Sequence, residues 1–150
     1  MSYQLIRGTF ESRTAQALIN AGLSSDHIFW DNVGETPPTS GAYATISMSF
    51  TDTIVDTIHC EGLEDLRGSL SVNVYTAKNQ GSKVGEDICL EVIKAWLAIN
   101  TFKAQPTDQI RSMKTRSIEG PFTIAPSTQA EQQQAKHVNN VACSWMARAA

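Results

Sequence analysis

The stretch RGSLSVNVYTAKNQGSKVGEDICLEVIKAWLAI, residues 67–99, decides the fold because it contains a strand, a turn and a helix in succession. Its first part places Leu70, Val72 and Val74 on one side and small or polar residues between them, which is the two-residue period of a half-buried strand. The residues Asn79–Gly81 interrupt the alternation and predict a turn. Apolar residues then recur at the spacing of one helix face, namely Val84, Ile88, Cys89, Val92, Ile93, Trp96 and Leu97. They predict an amphipathic helix.

Further elements are predicted on the N-terminal side of this unit. A helix is expected from about Ser2 to Ala21, and Gly22 is expected to end it. Alternation from Tyr43 to Phe50 predicts a strand. A tight turn at residues 51–52 and a second strand, roughly Thr53 to Cys60, are expected to follow.

The C-terminal side is predicted to complete a sheet. Residues 110–123 are expected to form a pair of strands around Glu119–Pro121, and residues 137–146 a closing strand after the polar segment 127–136. Strands outnumber helices, so the predicted fold class is α+β: an antiparallel or mixed β-sheet with two principal helices packed on one face. A chain of 150 residues corresponds to a single domain, 1–150.

Composition and charge are those of an ordinary globular protein, with 41% hydrophobic residues, 18% charged residues and a formal net charge of −3. The absence of any block of like charge argues against a general affinity for nucleic acid. No apolar run approaches the roughly 18 residues of a membrane span, and the N-terminus has no signal-peptide pattern. We therefore expect no membrane contact and synthesis in the cytoplasm.

The charge is unevenly distributed. The segment from residue 52 to residue 65, here called the acidic segment, carries five acids and no base: Asp52, Asp56, Glu61, Glu64 and Asp65. One interpretation is a solvated hairpin, and the other is a surface that repels a polyanion or meets a basic neighbour. The basic candidates lie in the C-terminal third, at Arg111, Lys114 and Arg116.

Catalytic patterns are scarce in this sequence. It has no phosphate-binding glycine loop, nucleophile elbow or paired-cysteine motif. Asp56, His59 and Cys60 come closest to a Cys–His arrangement, but neighbouring residues of a strand face opposite sides of the sheet. We therefore predict no catalytic residues.

Metal and cofactor sites are not predicted either. Asp26, His27 and Asp31 form too small a set of ligands for a metal site. The three cysteines, Cys60, Cys89 and Cys143, are odd in number, widely spaced and set in apolar patterns. We interpret them as small buried hydrophobic residues.

Several motifs together resemble a known family: FWDNVGETPP (29–38), GAYATISMSF (41–50), the strand–turn–helix unit above, and VNNVACSWMA (138–147). Over most of residues 3–147 the chain resembles the small tail terminator proteins of long-tailed bacteriophages. The best-defined matches are Arg67, Gly68, Gly81 and the helix that ends near Trp96.

This resemblance implies a structural virion protein with no enzymatic activity. Such proteins form a homo-oligomeric ring, expected here to be a hexamer, that caps the head-proximal end of the tail tube, ends tube polymerisation and joins tail to neck. The implied partners are other copies of the chain, the tail tube protein, a neck or head-completion protein and, in a contractile tail, the end of the sheath. DNA would only pass through the channel, and no cofactor is implied.

Alternatives remain open at this point. One is a neck or head-completion (connector) ring protein, and others are a small enzyme that uses Asp56, His59 and Cys60, or a monomeric ligand-binding domain. Within a ring, the acidic segment is expected to face the channel or its rim, where like charge lets DNA slide. The competing interpretation pairs it with the three basic candidates of the adjacent subunit.

Overall fold

The structure, a computed structural model, describes residues 3–30, 41–55, 64–77, 82–105, 107, 109–124 and 136–149. Its elements are helix α1 (Tyr3–Asn20), strands β1 (Ile28–Trp30), β2 (Tyr43–Val55) and β3 (Glu64–Ala77), helix α2 (Ser82–Ile99), and strands β4 (Ile110–Ile124) and β5 (Lys136–Ala149). The five strands form one sheet in the order β1-β2-β3-β5-β4. The β1–β2 pair is parallel and the other pairs are antiparallel, so the predicted α+β class with a mixed sheet is confirmed.

Helix α1 ends at the predicted glycine. The N–H of Gly22 donates to the carbonyl of Ile19 (3.0 Å), and the N–H of Leu23 donates to the carbonyl of Leu18 (3.1 Å). Gly22 has a φ of 109°, a backbone conformation that is costly for residues with a Cβ atom. This pair of bonds is a Schellman motif, which satisfies carbonyls at the end of the helix.

The core lies between the two helices and one face of the sheet. Leu70, Val72 and Val74 of β3 are fully buried there, as the alternation predicted. The other large contributors are Ile6, Phe10 and Leu18 of α1, Val92, Trp96 and Ile99 of α2, and Val141, Cys143 and Trp145 of β5. A buried hydrogen bond of 3.0 Å from Trp96 Nε1 to Thr14 Oγ1 joins the helices inside this core.

The buried face of α2 differs from the predicted stripe. Val84 and Leu97 were expected to be buried, but they are 39% and 53% exposed. A step of four residues advances a helix by about 400°, so the four-residue series from Val84 to Trp96 drifts by about 120° around the axis. The first member therefore leaves the core side, and Leu97 lies a further 100° or so beyond Trp96.

Two predicted turns are instead irregularities within continuous strands. Strand β2 passes through residues 51–52, and a register shift between Phe50 and Asp52 makes Thr51 a β-bulge. Strand β4 runs without a break from Ile110 to Ile124, with register shifts between Arg116 and Phe122. Of the predicted turn residues only Gly120 has a positive φ, 102°, and the strand continues through it, so the predicted strand pair is wrong.

The C-terminal strand extends beyond its predicted limits. Strand β5 continues to Ala149, three residues past the expected end, and pairs with both β3 and β4. The polar segment 127–136 lies outside the described residues except for Lys136, the first residue of β5. Among the described residues, neither helix has the length and apolar character that crossing a membrane requires.

Candidate functional site

The face of the sheet away from the helices, here called the open face, carries short polar side chains along its middle. Ser49 and Ser69 lie opposite each other on β2 and β3, with their hydroxyl oxygens 2.7 Å apart. On β5, Asn140 Nδ2 donates to Asn73 Oδ1 (2.7 Å) and to Ser71 Oγ (3.0 Å). These bonds tie the central strands together across the open face.

Charged side chains gather at one end of the open face. The strand registers place Asp52 opposite Arg67, Arg67 opposite Met146, and Met146 opposite Lys114. Asp52, Arg67 and Arg116 line a shallow depression together with Thr51, Gly68, Ser144, Trp145 and Met146. We call this surface the charged depression.

An ion pair lies next to the charged depression. Arg148 Nε and Nη2 donate to Asp65 Oδ1 and Oδ2 at 2.7 Å and 3.0 Å, a bidentate arrangement between facing residues of β5 and β3. The Arg148 hydrogen bonds lower the pKa of Asp65, burial opposes them, and the charges of Arg148 and Arg67 lower it further. Asp65 is therefore a carboxylate whose charge is already neutralised within the chain.

The predicted basic candidates differ in their surroundings. Arg111 Nη1 donates to the carbonyl of Gln105 (3.0 Å), and Lys114 Nζ donates to the carbonyl of Asn100 (3.1 Å). Arg116 instead lines the charged depression and is exposed. Within the described ranges, neither Arg67 nor Arg116 forms an ion pair.

The acidic candidates are only partly described. Asp52 is exposed in the charged depression, and Asp65 is bound by Arg148. Glu64 begins β3 and pairs with Val55, although its side chain is not described. Asp56 and Glu61 lie outside the described residues.

Two arginines of this site were not among the predicted site residues. Arg67 was noted only as part of the family motif. It stands two and four residues before Ser69 and Ser71, and this strand spacing predicts that all three side chains lie on the open face. Arg148 lies beyond the predicted end of the last strand, so no pattern linked it to Asp65.

The described cysteines are buried, as predicted. Cys89 and Cys143 are both free, and burial raises the pKa of each thiol to about 12. Each is therefore protonated at neutral pH and a poor nucleophile. Cys60, with His59 and Asp56, lies outside the described residues.

The residues considered as metal ligands lie on a short 3-10 turn, Ser25–His27. Its backbone is capped by Ser24, whose hydroxyl accepts from the N–H of Asp26 at 3.4 Å. Asp31 is outside the described residues. In the part of the chain that is described, no three His, Cys, Asp or Glu side chains form a group that could hold a metal.

The helix layer presents a different chemistry from the open face. Leu90 and Leu97 are 46% and 53% exposed on α2, and Ile19 is exposed near the end of α1. The helix side of the domain thus exposes these apolar side chains beside charged ones such as Arg13 and Lys94.

Comparison with known proteins shows a shared fold. No protein-family model matches the chain, and no curated protein matches it. One solved structure, which bears only a sequence identifier, has a TM-score of 0.66 and 22% identity, covering 98% of this chain and 96% of that chain. Another, the virion of a native gene transfer agent particle, has a TM-score of 0.45 and 12% identity, covering 90% and 83%. The first likeness establishes that the fold is shared over almost the whole chain.

Proposed function

We propose that this protein is a structural virion protein that forms a ring at the head-proximal end of a phage tail tube. The ring would end tube polymerisation and join the tail to the neck. The proposal starts from the sequence resemblance to tail terminator proteins.

The observation that carries the proposal concerns the two best-matched adjacent residues, Arg67 and Gly68. A Cβ atom on Gly68 would collide with the carbonyl of Ser49 and would lie 2.7 Å from Cζ2 of Trp145. The glycine is therefore required by packing. Arg67 is exposed and forms no ion pair among the described residues, so packing does not explain it. An exposed arginine beside a packing glycine favours a role in binding a partner.

The distribution of surface chemistry also suits a ring. Identical subunits that close a ring make head-to-tail contacts, which join two different patches of the same chain. A charged open face and a helix layer with exposed leucines provide surfaces that differ in this way. A twofold dimer, by contrast, would need one self-complementary patch.

Electron microscopy of particles that carry a tagged copy of this protein tests the proposal. We expect a ring of about six copies between the tail tube and the neck. A ring bound on the portal side, away from the tube, would favour the connector alternative. A single copy or a twofold dimer in the particle would overturn the proposal.

The enzyme alternative has its own test. If Asp56, His59 and Cys60 formed a catalytic site, His59→Ala would abolish a measurable reaction and leave the protein folded. We propose instead that this variant assembles into particles as the wild type does. Failure of the folded His59→Ala protein to assemble would argue against this expectation.

A further inference from the structure

The charged depression contains more positive than negative charge. Arg67 and Arg116 both line it, and Asp52 is the one acid among its described lining residues. All three are exposed, and none of them forms an ion pair with a described residue. Two exposed arginines on one concave surface provide the planar donors that bind carboxylates in bidentate geometry.

The outer face of helix α2 carries the opposite pattern of charge over its first turns. Lys83 and Asp87 are exposed there, and Glu86 is half-buried beside them. None of these three forms an ion pair within the described ranges, whereas the next charged pair along the helix does. Leu90 is exposed three residues after Asp87, on the same face of the helix. We call these four residues the α2 surface.

The charged depression and the α2 surface are complementary in sign. The depression has two cations and one acid, and the α2 surface has two acids and one cation. The carboxylates of Glu86 and Asp87 match the two arginines, and the ammonium group of Lys83 matches Asp52. The mixture of signs favours a protein over DNA as the partner, because a polyanion offers no cation to Asp52.

These two surfaces lie far apart within one copy. Helix α2 packs on the core side of the sheet, and the charged depression is on the open face. Gly85 lies against Asn139, which pairs with Val74. Val74 is seven residues along β3 from Arg67, about 23 Å in an extended strand. The surfaces are therefore on opposite sides of the domain and toward opposite ends of it.

This placement favours a contact that repeats from copy to copy. In a twofold dimer, each depression would have to meet the other copy's α2 surface at the same time, and surfaces on opposite sides of a domain do not allow this. A head-to-tail arrangement joins one depression to one α2 surface at every contact. Each copy then uses both of its surfaces, as a ring requires.

We propose that the charged depression of one copy binds the carboxylates of Glu86 and Asp87 of the next copy, with Lys83 facing Asp52. This contact sets the register of the ring. The inference rests on the proposed ring. It gives the two exposed arginines and the outer face of α2 a role that packing within the chain does not supply.

Charge reversal tests the contact on the full chain. The cation-reversed variant is R67E/R116E, the acid-reversed variant is E86K/D87K, and R13E/K103E is a matched control at two exposed cations outside both surfaces. Assembly is measured by sedimentation velocity and native mass spectrometry, with and without tail tube protein. We expect each contact variant to weaken association at least about tenfold. The control should assemble as the wild type does.

Mixing the two reversed variants distinguishes contacts between copies from contacts within one copy. In a head-to-tail ring, cation-reversed and acid-reversed copies can alternate, so an equimolar mixture should restore rings with an even number of subunits. The chain that carries all four reversals should also assemble. Restoration in the four-fold variant without restoration in the mixture would indicate a contact within one chain and would overturn the inference.

The third charge pair distinguishes the α2 surface from a purely acidic partner. D52K places a cation opposite Lys83 of the next copy, so it should weaken association, and D52K/K83E should restore it. A partner that carried only acids would bind the D52K depression more tightly. Stronger association of D52K, or no restoration in D52K/K83E, would overturn the inference.

Neutral substitutions guard against misfolding, since cations in the first turns of a helix oppose its dipole. R67Q/R116Q and E86Q/D87N remove charge without reversing it, and near-ultraviolet circular dichroism confirms that each variant is folded. Wild-type association should weaken as salt rises from about 0.05 M to about 0.5 M, because exposed charge pairs are screened. Both neutral variants should show a flatter dependence.

The remaining outcomes separate this inference from the proposed function. Wild-type rings that survive every contact substitution would overturn the inference and leave the ring intact. Normal rings of R67E/R116E that fail to bind the tail tube, or that slow DNA delivery, would overturn it in favour of another occupant of the depression. Failure of the wild type to form rings, both alone and on the tube, would overturn the proposed function and this inference with it.

Discussion

The side chain of Asn100 binds the backbone of Thr115 as a neighbouring strand would. Asn100 Nδ2 donates to the Thr115 carbonyl at 3.2 Å, and Asn100 Oδ1 accepts from the Thr115 N–H at 2.8 Å. Thr115 belongs to β4, the last strand in the sheet order, whose outer backbone groups are a template for pairing with another chain. The amide at the end of α2 thus blocks strand addition at this point of the edge.

Replacing Asn100 with alanine should weaken the fold and open the edge. The backbone donor and acceptor of Thr115 would lose their partners, at a cost of about 1–3 kcal/mol in the free energy of unfolding. Asn100→Asp keeps the acceptor and loses the donor, so we expect an intermediate effect. Urea unfolding measures the stability, and light scattering against concentration measures new association. An unchanged unfolding midpoint in Asn100→Ala would show that the pair does not stabilise the edge.

Gly85 and Asn139 should be energetically coupled. A Cβ atom on Gly85 would collide with Asn139 Nδ2 and lie 3.2 Å from Asn139 Cγ. Gly85→Ala should therefore cost about 1–3 kcal/mol through overpacking, although alanine is the better helix former. Asn139 Nδ2 is buried without a hydrogen-bond partner among the described residues. Truncating the Asn139 side chain therefore breaks no hydrogen bond of Nδ2 with these residues.

A double-mutant cycle measures this coupling. The combined variant Gly85→Ala/Asn139→Ala should be less destabilised than the sum of the two single variants, because the shorter side chain removes the collision. Thermal unfolding of the four proteins gives the coupling free energy. Strict additivity would mean that α2 shifts to relieve the overlap by another route.

The Asp65–Arg148 ion pair should make stability depend on pH in the acid range. Folding lowers the pKa of Asp65 from its ordinary value of 3.8, chiefly through the Arg148 hydrogen bonds. Its contribution is therefore complete above about pH 4 and is lost as pH falls through the lower folded-state pKa. The side chain of Arg148 is 39% exposed, so solvent screening limits the contribution to about 1 kcal/mol or less.

Asp65→Asn tests this pH dependence. The variant should be less stable than the wild type at pH 7, and the difference should shrink below pH 4. Arg148→Lys is the control that keeps the charge and loses the bidentate geometry, and it should retain part of the dependence. A stability difference that stays constant from pH 7 to pH 2 would contradict the assignment.

Strand β3 and the end of helix α1 were predictable because their sequence signals are local. Alternation at Leu70, Val72 and Val74 identified β3 and its buried side, and Gly22 identified the end of α1. Both signals act within a few residues, so no knowledge of neighbouring strands was needed. The α+β class followed from counting such elements.

Irregular strands and cross-strand pairs were not predictable in the same way. Thr51 and Gly120 resemble turn residues, yet their strands continue because pairing with β3 and β5 outweighs the local preference. The charged depression depends on register, which aligns Asp52 with Arg67 and places Arg116 nearby. A single sequence contains no direct signal for that alignment, and this is why Arg111 and Lys114 were grouped with Arg116.

The exposed leucines of α2 provide the last prediction. Leu97→Ser should change the free energy of unfolding by no more than about 0.5 kcal/mol, because the side chain is 53% exposed. Val92→Ala, on the buried side of the same helix, should cost more, since it leaves a void in the core. Urea unfolding of both variants makes the comparison. If Leu97→Ser were as costly as Val92→Ala in the isolated protein, Leu97 would belong to the buried face of α2, as the apolar stripe in the sequence predicted.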